Sequence, residues 1–400
     1  MWQALLKRLM NRVLRHGTLA VTWPDGTTTR HGNGLPEIAV TLRDPATLRA
    51  LVRHPEIALG EAYMDETLTI DDGDLYAFLD LVARNVRAAR YGRFRGRLTA
   101  LARATRRLAQ TQSRAAARAN VAHHYDLTPA FYELFLDADL QYTCGYFPSD
   151  NLSLEAAQEA KKAHIAAKLR IEPGMRVLDI GCGWGGTAIT LARDYGARVV
   201  GVTLSQEQKA HAEARIAAAG LTDRIEIRLT DYRDVDETFD RILVVGMIEH
   251  VGQPQYATFF DTLRRNLAPD GIALLHTIGR STPPNTTAPW VGKYIFPGSH
   301  IPSLSELATG TENADLVVTD IEVWRLHYAR TLRAWRARFE DNRDRIEAMY
   351  DARFVRMWRF YLVITEVAFV HLANVVFQLQ ITRDQTAVPL TRDYLFTARS

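Results

Sequence analysis

Val177-Leu178-Asp179-Ile180-Gly181-Cys182-Gly183-Trp184-Gly185-Gly186 decides the fold. A short apolar run carrying one acid meets a cluster of glycines, and a helical pattern, Gly185–Tyr195, follows. Glycines at a strand-to-helix turn let the backbone turn tightly and approach a ligand closely, with helix N–H groups facing it. Working outward, the apolar runs are Arg176–Ile180, Arg198–Thr203, Ile225–Leu229, Arg241–Val245, Gly271–His276, Leu316–Trp324 and Val375–Thr382. Helical periods at Glu155–Leu169, Gly185–Tyr195, Gln206–Ala219 and Tyr256–Asn266 fall between most of them. This alternation predicts an α/β fold: an open, mainly parallel sheet with helices on both faces. A dinucleotide-binding version would carry an acid about 20 residues on, at the tip of the second strand. That tip reads Gly201-Val202-Thr203-Leu204-Ser205-Gln206, without an acid, and no second mononucleotide-binding half is evident.

The region before the sheet reads differently. Thr18–Trp23 and Glu37–Leu42 are strand-like around the turn Pro24-Asp25-Gly26, and Asp44-Pro45 opens a helix through about Val52. A longer helix begins across Asp74–Val86. The expected organisation is a small mixed α+β unit at 1–83, an Arg-rich helical connector at 84–119 and the α/β domain at 120–400. Phe360–Phe377 is long and apolar but is interrupted by Glu366, His371 and Asn374. It predicts a buried helix running into the last strand rather than a membrane span. The opening MWQALLKRLMNRVLRHG alternates apolar and basic residues, which predicts an amphipathic helix and not a secretory signal.

At 47% hydrophobic and 24% charged, the composition is that of a water-soluble globular enzyme, and it excludes disordered, fibrous and multi-span membrane classes. Two cysteines, Cys144 and Cys182, exclude a disulfide framework and a Cys-rich zinc site and point to a reducing compartment. The net charge of +3 hides an asymmetry. Arg84–Arg118 holds 11 Arg and no Lys or acid, which leaves 38 basic against 46 acidic residues elsewhere. Such a stretch fits nucleic acid, membrane headgroups or an acidic partner, and equally a solvated helix face paired with acids elsewhere.

Several motifs carry a resemblance. Asp179-Ile180-Gly181-Cys182-Gly183 is similar to the first motif of S-adenosylmethionine-dependent methyltransferases. Gly201-Val202-Thr203-Leu204-Ser205 with Gln208 follows, then Gly246-Met247-Ile248-Glu249-His250-Val251-Gly252 and Leu274-Leu275-His276-Thr277-Ile278-Gly279. With Lys293-Tyr294-Ile295-Phe296-Pro297-Gly298, this series resembles the cyclopropane-fatty-acyl-phospholipid synthase and mycolic acid cyclopropane synthase family. His124-Tyr125-Asp126-Leu127 and Gln141-Tyr142-Thr143-Cys144-Gly145-Tyr146-Phe147 match it upstream, so the motifs run in order from about Ala122 to Phe369. Ala58-Leu59-Gly60-Glu61-Ala62-Tyr63-Met64 is similar to the lipid-associated domain of the bacterial members.

The resemblance implies a class I methyltransferase, Rossmann-like sheet preceded by a small α+β lipid-associated domain. It implies S-adenosyl-L-methionine as methyl donor and the cis double bond of an unsaturated phospholipid acyl chain as acceptor, giving a cyclopropane ring. It also implies a bicarbonate ion as base, held by Glu249, His276 and Tyr328 with backbone groups of Cys144 and Ile278, and no metal. Cofactor contacts implied in the same way are Tyr142, Thr143, Asp179, Gly181, Gly183, Gly185, Thr203, Gln208, Tyr232 and Arg233. Thr203 and Gln208 stand in place of a ribose-binding acid, Tyr232-Arg233 stands where mycolate enzymes have Trp-Glu, and Thr365 stands where many members have a late-helix cysteine.

The chemistry gives these residue types a reason. An alkene is a weak nucleophile that can attack a methyl carried on a sulfonium, leaving a carbocation. Ring closure then needs a base beside the new methyl and a pocket that excludes water. Glu249 and His276 stand at carboxyl ends of predicted strands, the rim where such sheets bind ligands. Aromatic faces suit a cationic centre, and Tyr142, Tyr146, Phe147 and Tyr294 are candidates, while Arg359, Phe360 and Tyr361 fit a lid helix. Competing readings are a methyl-branching relative, a lipid-binding protein on an inactive methyltransferase fold, and a nucleic-acid methyltransferase. The last usually shows an Asn/Asp-Pro-Pro-aromatic run where this chain has Gly246-Met247-Ile248-Glu249, so no nucleic-acid partner is expected. The expected partner is an anionic membrane surface on the cytoplasmic, inner face, reached by the Arg-rich segment and the first helix; a homodimer is left open.

Overall fold

The computed structural model describes residues 1–90 and 127–397, which fall into two units. His124-Tyr125-Asp126, most of the Arg-rich connector, and with it Arg93, Arg95 and Arg97, lie outside the described residues.

One unit gathers 1–90, Thr287–Pro297 and Leu332–Asn374. Its sheet has strands β1 (Gly17–Thr22), β2 (Thr28–Asn33), β3 (Glu37–Leu42) and β4 (Leu68–Ile70), in the order β2-β1-β3-β4. Asp25 shapes the β1–β2 turn by accepting the Thr27 N–H at 3.0 Å, and Asp44 caps helix Pro45–Arg53 by accepting the Ala46 N–H. A further helix, Pro55–Met64, was not expected separately: its buried face is Ala58, Gly60, Ala62 and Met64, too small to print an apolar stripe. Those small residues allow close approach, because a Cβ on Gly60 would overlap the Trp290 indole. Beside it Glu61 accepts bonds from Lys293 Nζ at 2.6 Å and Tyr294 Oη at 2.8 Å. Helix Ala352–His371 donates from Arg356 to the Met64 carbonyl and sets Phe360 against Trp290, ring centroids 4.7 Å apart.

The other unit contains the parallel sheet, formed by β5 (Arg176–Ile180), β6 (Arg198–Thr203), β7 (Ile225–Leu229), β8 (Phe239–Val245), β9 (Leu267–Arg280), β10 (Val317–Trp324) and β11 (Asn374–Thr382). Among the described residues its order is β10-β11-β9-β8-β5-β6-β7. Strands β5 to β9 pair in parallel and β10 is antiparallel to β11. Successive residues of each inner strand feed opposite cores. Leu178, Ile180, Ile242, Val244, Ala273 and Leu275 pack under helices Tyr256–Asn266 and Leu304–Asn313. Val177, Val199, Leu243, Ile272 and Leu274 pack under helices Leu154–Leu169, Gly186–Tyr195 and Gln206–Ala218. Burial on both faces is why these strands read as unbroken apolar runs.

Several boundaries differ from the sequence reading, among them the end of β9 at Arg280 instead of His276 and the start of β8 at Phe239 instead of Arg241, and two of the differences have a local cause. Strand β9 starts at Leu267, not Gly271, because Pro269-Asp270-Gly271 is absorbed in the ladder as an irregularity opposite Phe239 to Arg241 instead of ending it. The late apolar stretch divides into helix Ala352–His371 and strand β11, turning at Ala373, whose φ is +71°. Among the described residues, no helix is long and apolar enough to cross a membrane.

Candidate active site

Parallel pairing brings the carboxyl ends of β5, β6, β8 and β9 to one rim. The three glycines after β5 have φ of +81° (Gly181), +53° (Gly183) and +79° (Gly185), a region that favours glycine. Their surroundings differ. A Cβ on Gly181 would press on Met247 at 3.0 Å and one on Gly185 on Ala212 at 3.0 Å, whereas one on Gly183 would meet none of the described residues within 4 Å. Gly183 therefore faces open space at the rim. At the tip of β6, Thr203 Oγ1 donates to Gln208 Oε1 at 2.8 Å, and Ser205 caps the helix carrying Gln208. Asp179 is buried in β5, and burial pushes its carboxyl up to about 7, with Lys161 pulling the other way. Tyr232 and Arg233 form a short turn after β7. Arg233 is committed to Asp231, donating from Nε at 2.8 Å and Nη2 at 2.6 Å, and Tyr232 packs edge-on to Phe259.

The segment 139–147 is tied to helix Leu154–Leu169 on one side and to the start of helix His327–Asp341 on the other. Thr143 Oγ1 accepts from Lys161 Nζ at 2.7 Å and its carbonyl from Gln158 Nε2 at 2.9 Å, while Tyr142 packs on Tyr132, centroids 5.3 Å apart. Asp139 anchors the segment to Lys162 and Arg215, and its carboxylate fills the space a Cβ on Gly186 would need. Cys144 is buried and its Sγ donates to the Gly145 carbonyl at 3.3 Å; burial pushes the thiol well up, which holds it protonated and inert. Next to it, the Gly145 N–H donates to Thr331 Oγ1 at 3.0 Å and the Phe147 N–H to His327 Nδ1 at 3.0 Å. Both acceptors lie in the first turns of helix His327–Asp341, which also carries Tyr328, so sequence-distant Cys144 and Tyr328 share a neighbourhood.

Glu249 follows β8 in a short helical turn and is buried. Its Oε1 accepts the Ile278 N–H at 2.7 Å, and its Oε2 is buried with no hydrogen-bond partner among the described residues. Burial raises the carboxyl to about 7 against the lowering effect of the nearby hydrogen-bond donors. The Ile278 amide is thus spent on Glu249. His276, two residues back on β9, lies edge-on to Trp324 and takes the Gln378 Nε2 donor on Nδ1 at 3.0 Å. Burial holds the ring's pKa well below its ordinary value, so the imidazole is neutral, and with Nδ1 accepting, Nε2 carries the proton.

The fold therefore joins Glu249 to Ile278, Thr203 to Gln208, and the Cys144 segment to the helix of Tyr328. Of the expected aromatics, Tyr146 is stacked between His164 (4.6 Å) and His327 (5.0 Å) as packing, and Tyr294 lies in the other unit on Glu61. Thr365 is half-buried within helix Ala352–His371. Asp139, Gln158 and Lys161 were missed; the i, i+3 spacing of Gln158 and Lys161 on a helix leading into β5 was the available signal.

Comparison with known proteins decides the family. A family model described as mycolic acid cyclopropane synthetase matches residues 112–379. The chain belongs to this family. It is 37% identical over 355 residues to the cyclopropane-fatty-acyl-phospholipid synthase of Escherichia coli strain K12, spanning 89% of this chain and 87% of that one. It is 34% identical over 389 residues to the tuberculostearic acid methyltransferase UfaA1 of Mycobacterium tuberculosis, spanning 92% and 88%. The crystal structure of the mycolic acid cyclopropane synthase CmaA1, complexed with SAH and CTAB, aligns at a TM-score of 0.63 and 32% identity, covering 66% of this chain and 97% of that one. Residues 2–89 match a separate domain of unknown function. Family membership makes this chain an S-adenosylmethionine-dependent methyltransferase of the cyclopropane-fatty-acyl-phospholipid synthase type, on the class I fold.

Proposed function

We propose that this methyltransferase converts the cis double bond of an unsaturated phospholipid acyl chain to a cyclopropane ring, with bound bicarbonate as the base. The supporting observation is Glu249: a buried carboxyl with one oxygen fixed by Ile278 and the other without a hydrogen-bond partner among the described residues. A buried acceptor oxygen on Glu249, together with a neutral imidazole two residues before Ile278 on β9 that offers an N–H, matches an anion bearing both a hydroxyl and acceptor oxygens. S-adenosylmethionine supplies an electrophilic methyl on a sulfonium. The glycine loop, Thr143, Thr203 and Gln208 hold it, and open space at Gly183 leaves room for it. Glu249, His276 and Tyr328 hold and orient the base so that the proton leaves the new methyl and the ring closes. The buried, protonated Cys144 thiol serves as no nucleophile, and its role is the backbone it presents. A methyl-branched product would share the first step, but a built base site favours proton removal.

In this proposal residues 120–400 carry the chemistry, while 1–83 and the connector 84–119 bring the enzyme to the inner, cytoplasmic membrane face. Helix Trp2–Val13 exposes Leu5 and Leu9 beside basic residues, as surface attachment requires. The test is methyl transfer to vesicles of an unsaturated phospholipid in buffer stripped of carbon dioxide. Turnover restored by added bicarbonate supports the reading; full turnover without it refutes the base assignment.

A further inference from the structure

Lys161 has no part in the chemistry so far, although it is fully buried beside the site. Its Nζ donates to Gln141 Oε1 at 2.5 Å and Thr143 Oγ1 at 2.7 Å, both neutral, and no carboxylate pairs with it directly among the described residues. A buried ammonium without a contact ion destabilises a fold, and an apolar chain of similar length fills such space more favourably. Its charge is felt by groups on every element around it. These are Asp137, Asp139 and Cys144 on the adjoining segment, Lys162 on its own helix, Asp179 on β5 and His276 on β9. Desolvation lowers Lys161 to about 8, which leaves it cationic at neutral pH.

Its place explains its presence. Thr143 belongs to the cofactor contacts and Cys144, the next residue, to the bicarbonate contacts. One turn of helix back, Gln158 holds the Gln141 and Thr143 carbonyls at 3.3 and 2.9 Å. We propose that Lys161 is a positioning residue that fixes Thr143 and Cys144 in one register and supplies the positive charge beside the bicarbonate site. This rests on the bicarbonate reading above.

The test measures the bicarbonate concentration giving half-maximal methyl transfer to unsaturated phosphatidylglycerol vesicles, for the parent enzyme, Lys161→Met and Lys161→Arg. Calorimetry with S-adenosylhomocysteine reports whether each variant retains a folded cofactor site. Lys161→Met should raise the half-saturating bicarbonate about tenfold, the effect of losing one pKa unit's worth of interaction, and Lys161→Arg should recover most of it. In the parent, charge on Lys161 is lost as pH rises through about 8, so its bicarbonate requirement should climb above that pH. A folded Lys161→Met enzyme with the parent's bicarbonate dependence overturns the proposal. Should neither variant fold, a parent requirement that stays flat from about pH 7.5 to about 9.5 overturns it. A parent enzyme indifferent to bicarbonate defeats the underlying base reading instead, a result seen before any variant is made.

Discussion

Glu249→Gln should separate catalysis from stability, in opposite directions. The amide oxygen of the substituted side chain can still accept the Ile278 N–H, so the rim geometry survives, but the second position becomes a donor and cannot accept from a bound hydroxyl. Loss of a group that orients the base predicts a fall of roughly 10²–10⁴ in turnover with S-adenosylmethionine affinity nearly unchanged. Stability moves the other way. The carboxyl is raised from 4.5 to about 7 in the folded state, so the stability its proton confers is full below 4.5 and is lost as pH rises through 7. About 2.5 units at 1.36 kcal/mol each is a loss of about 3 kcal/mol that the Gln variant does not suffer. Weakening the Ile278 bond from a charged to a neutral acceptor returns about 1 kcal/mol. The variant should therefore unfold at a temperature roughly 2–4 °C above the parent's at pH 8, with the gap closing toward pH 4.5. Calorimetric melts across that range, with radiolabelled methyl transfer to vesicles at pH 8, make the check. Full activity, or a stability difference that does not change with pH, would refute the reasoning.

Gly183→Val should lower S-adenosylmethionine affinity at least about tenfold by calorimetry, since its side chain enters space that is otherwise open; part of any stability loss comes from a β-branched residue at φ +53°. Gly60→Ala should lower thermal stability by about 1–3 kcal/mol through overlap with the Trp290 indole, read by differential scanning calorimetry. Replacing Arg93, Arg95 and Arg97 with Gln should weaken sedimentation with anionic vesicles at low salt, each basic residue near the surface contributing about 1 kcal/mol, and leave S-adenosylmethionine affinity in place. Equal sedimentation would make that segment an ordinary connector.

The sheet was legible because its inner strands are buried on both faces and so print as apolar runs between helical periods. Arg198–Thr203 and Ile225–Leu229 end where the sequence places them. Strand β9 was shortened by Pro269-Asp270-Gly271, a turn signal that tertiary pairing overrides. Helix Pro55–Met64 was not expected from the sequence, because Ala58, Gly60 and Ala62 show their purpose only when Trp290 is seen against Gly60. That Thr287–Pro297 and Leu332–Asn374 share a unit with residues 1–90 is likewise a matter of contact, not of local pattern. At the site, Glu249 follows β8 as its sequence position indicates, whereas His276 lies within β9, level with the end of β8, because β9 runs on to Arg280. Lys161, Lys162 and Lys168 carry no signal in the sequence beyond the helical period of Leu154–Leu169, yet all three are buried. Charge in a sequence marks the surface by default, and only the fold shows where a charge has been enclosed.

The most direct measurement is mass spectrometry of phospholipids from a host expressing this chain, before and after mild hydrogenation. The proposed reaction predicts acyl chains heavier by one CH₂ with no added hydrogen, resistant to hydrogenation, absent when Glu249→Gln is expressed. Chains that gain CH₂ but then take up hydrogen, or that carry CH₂ plus two hydrogens as a saturated methyl branch, would contradict ring closure at the Glu249–His276 site.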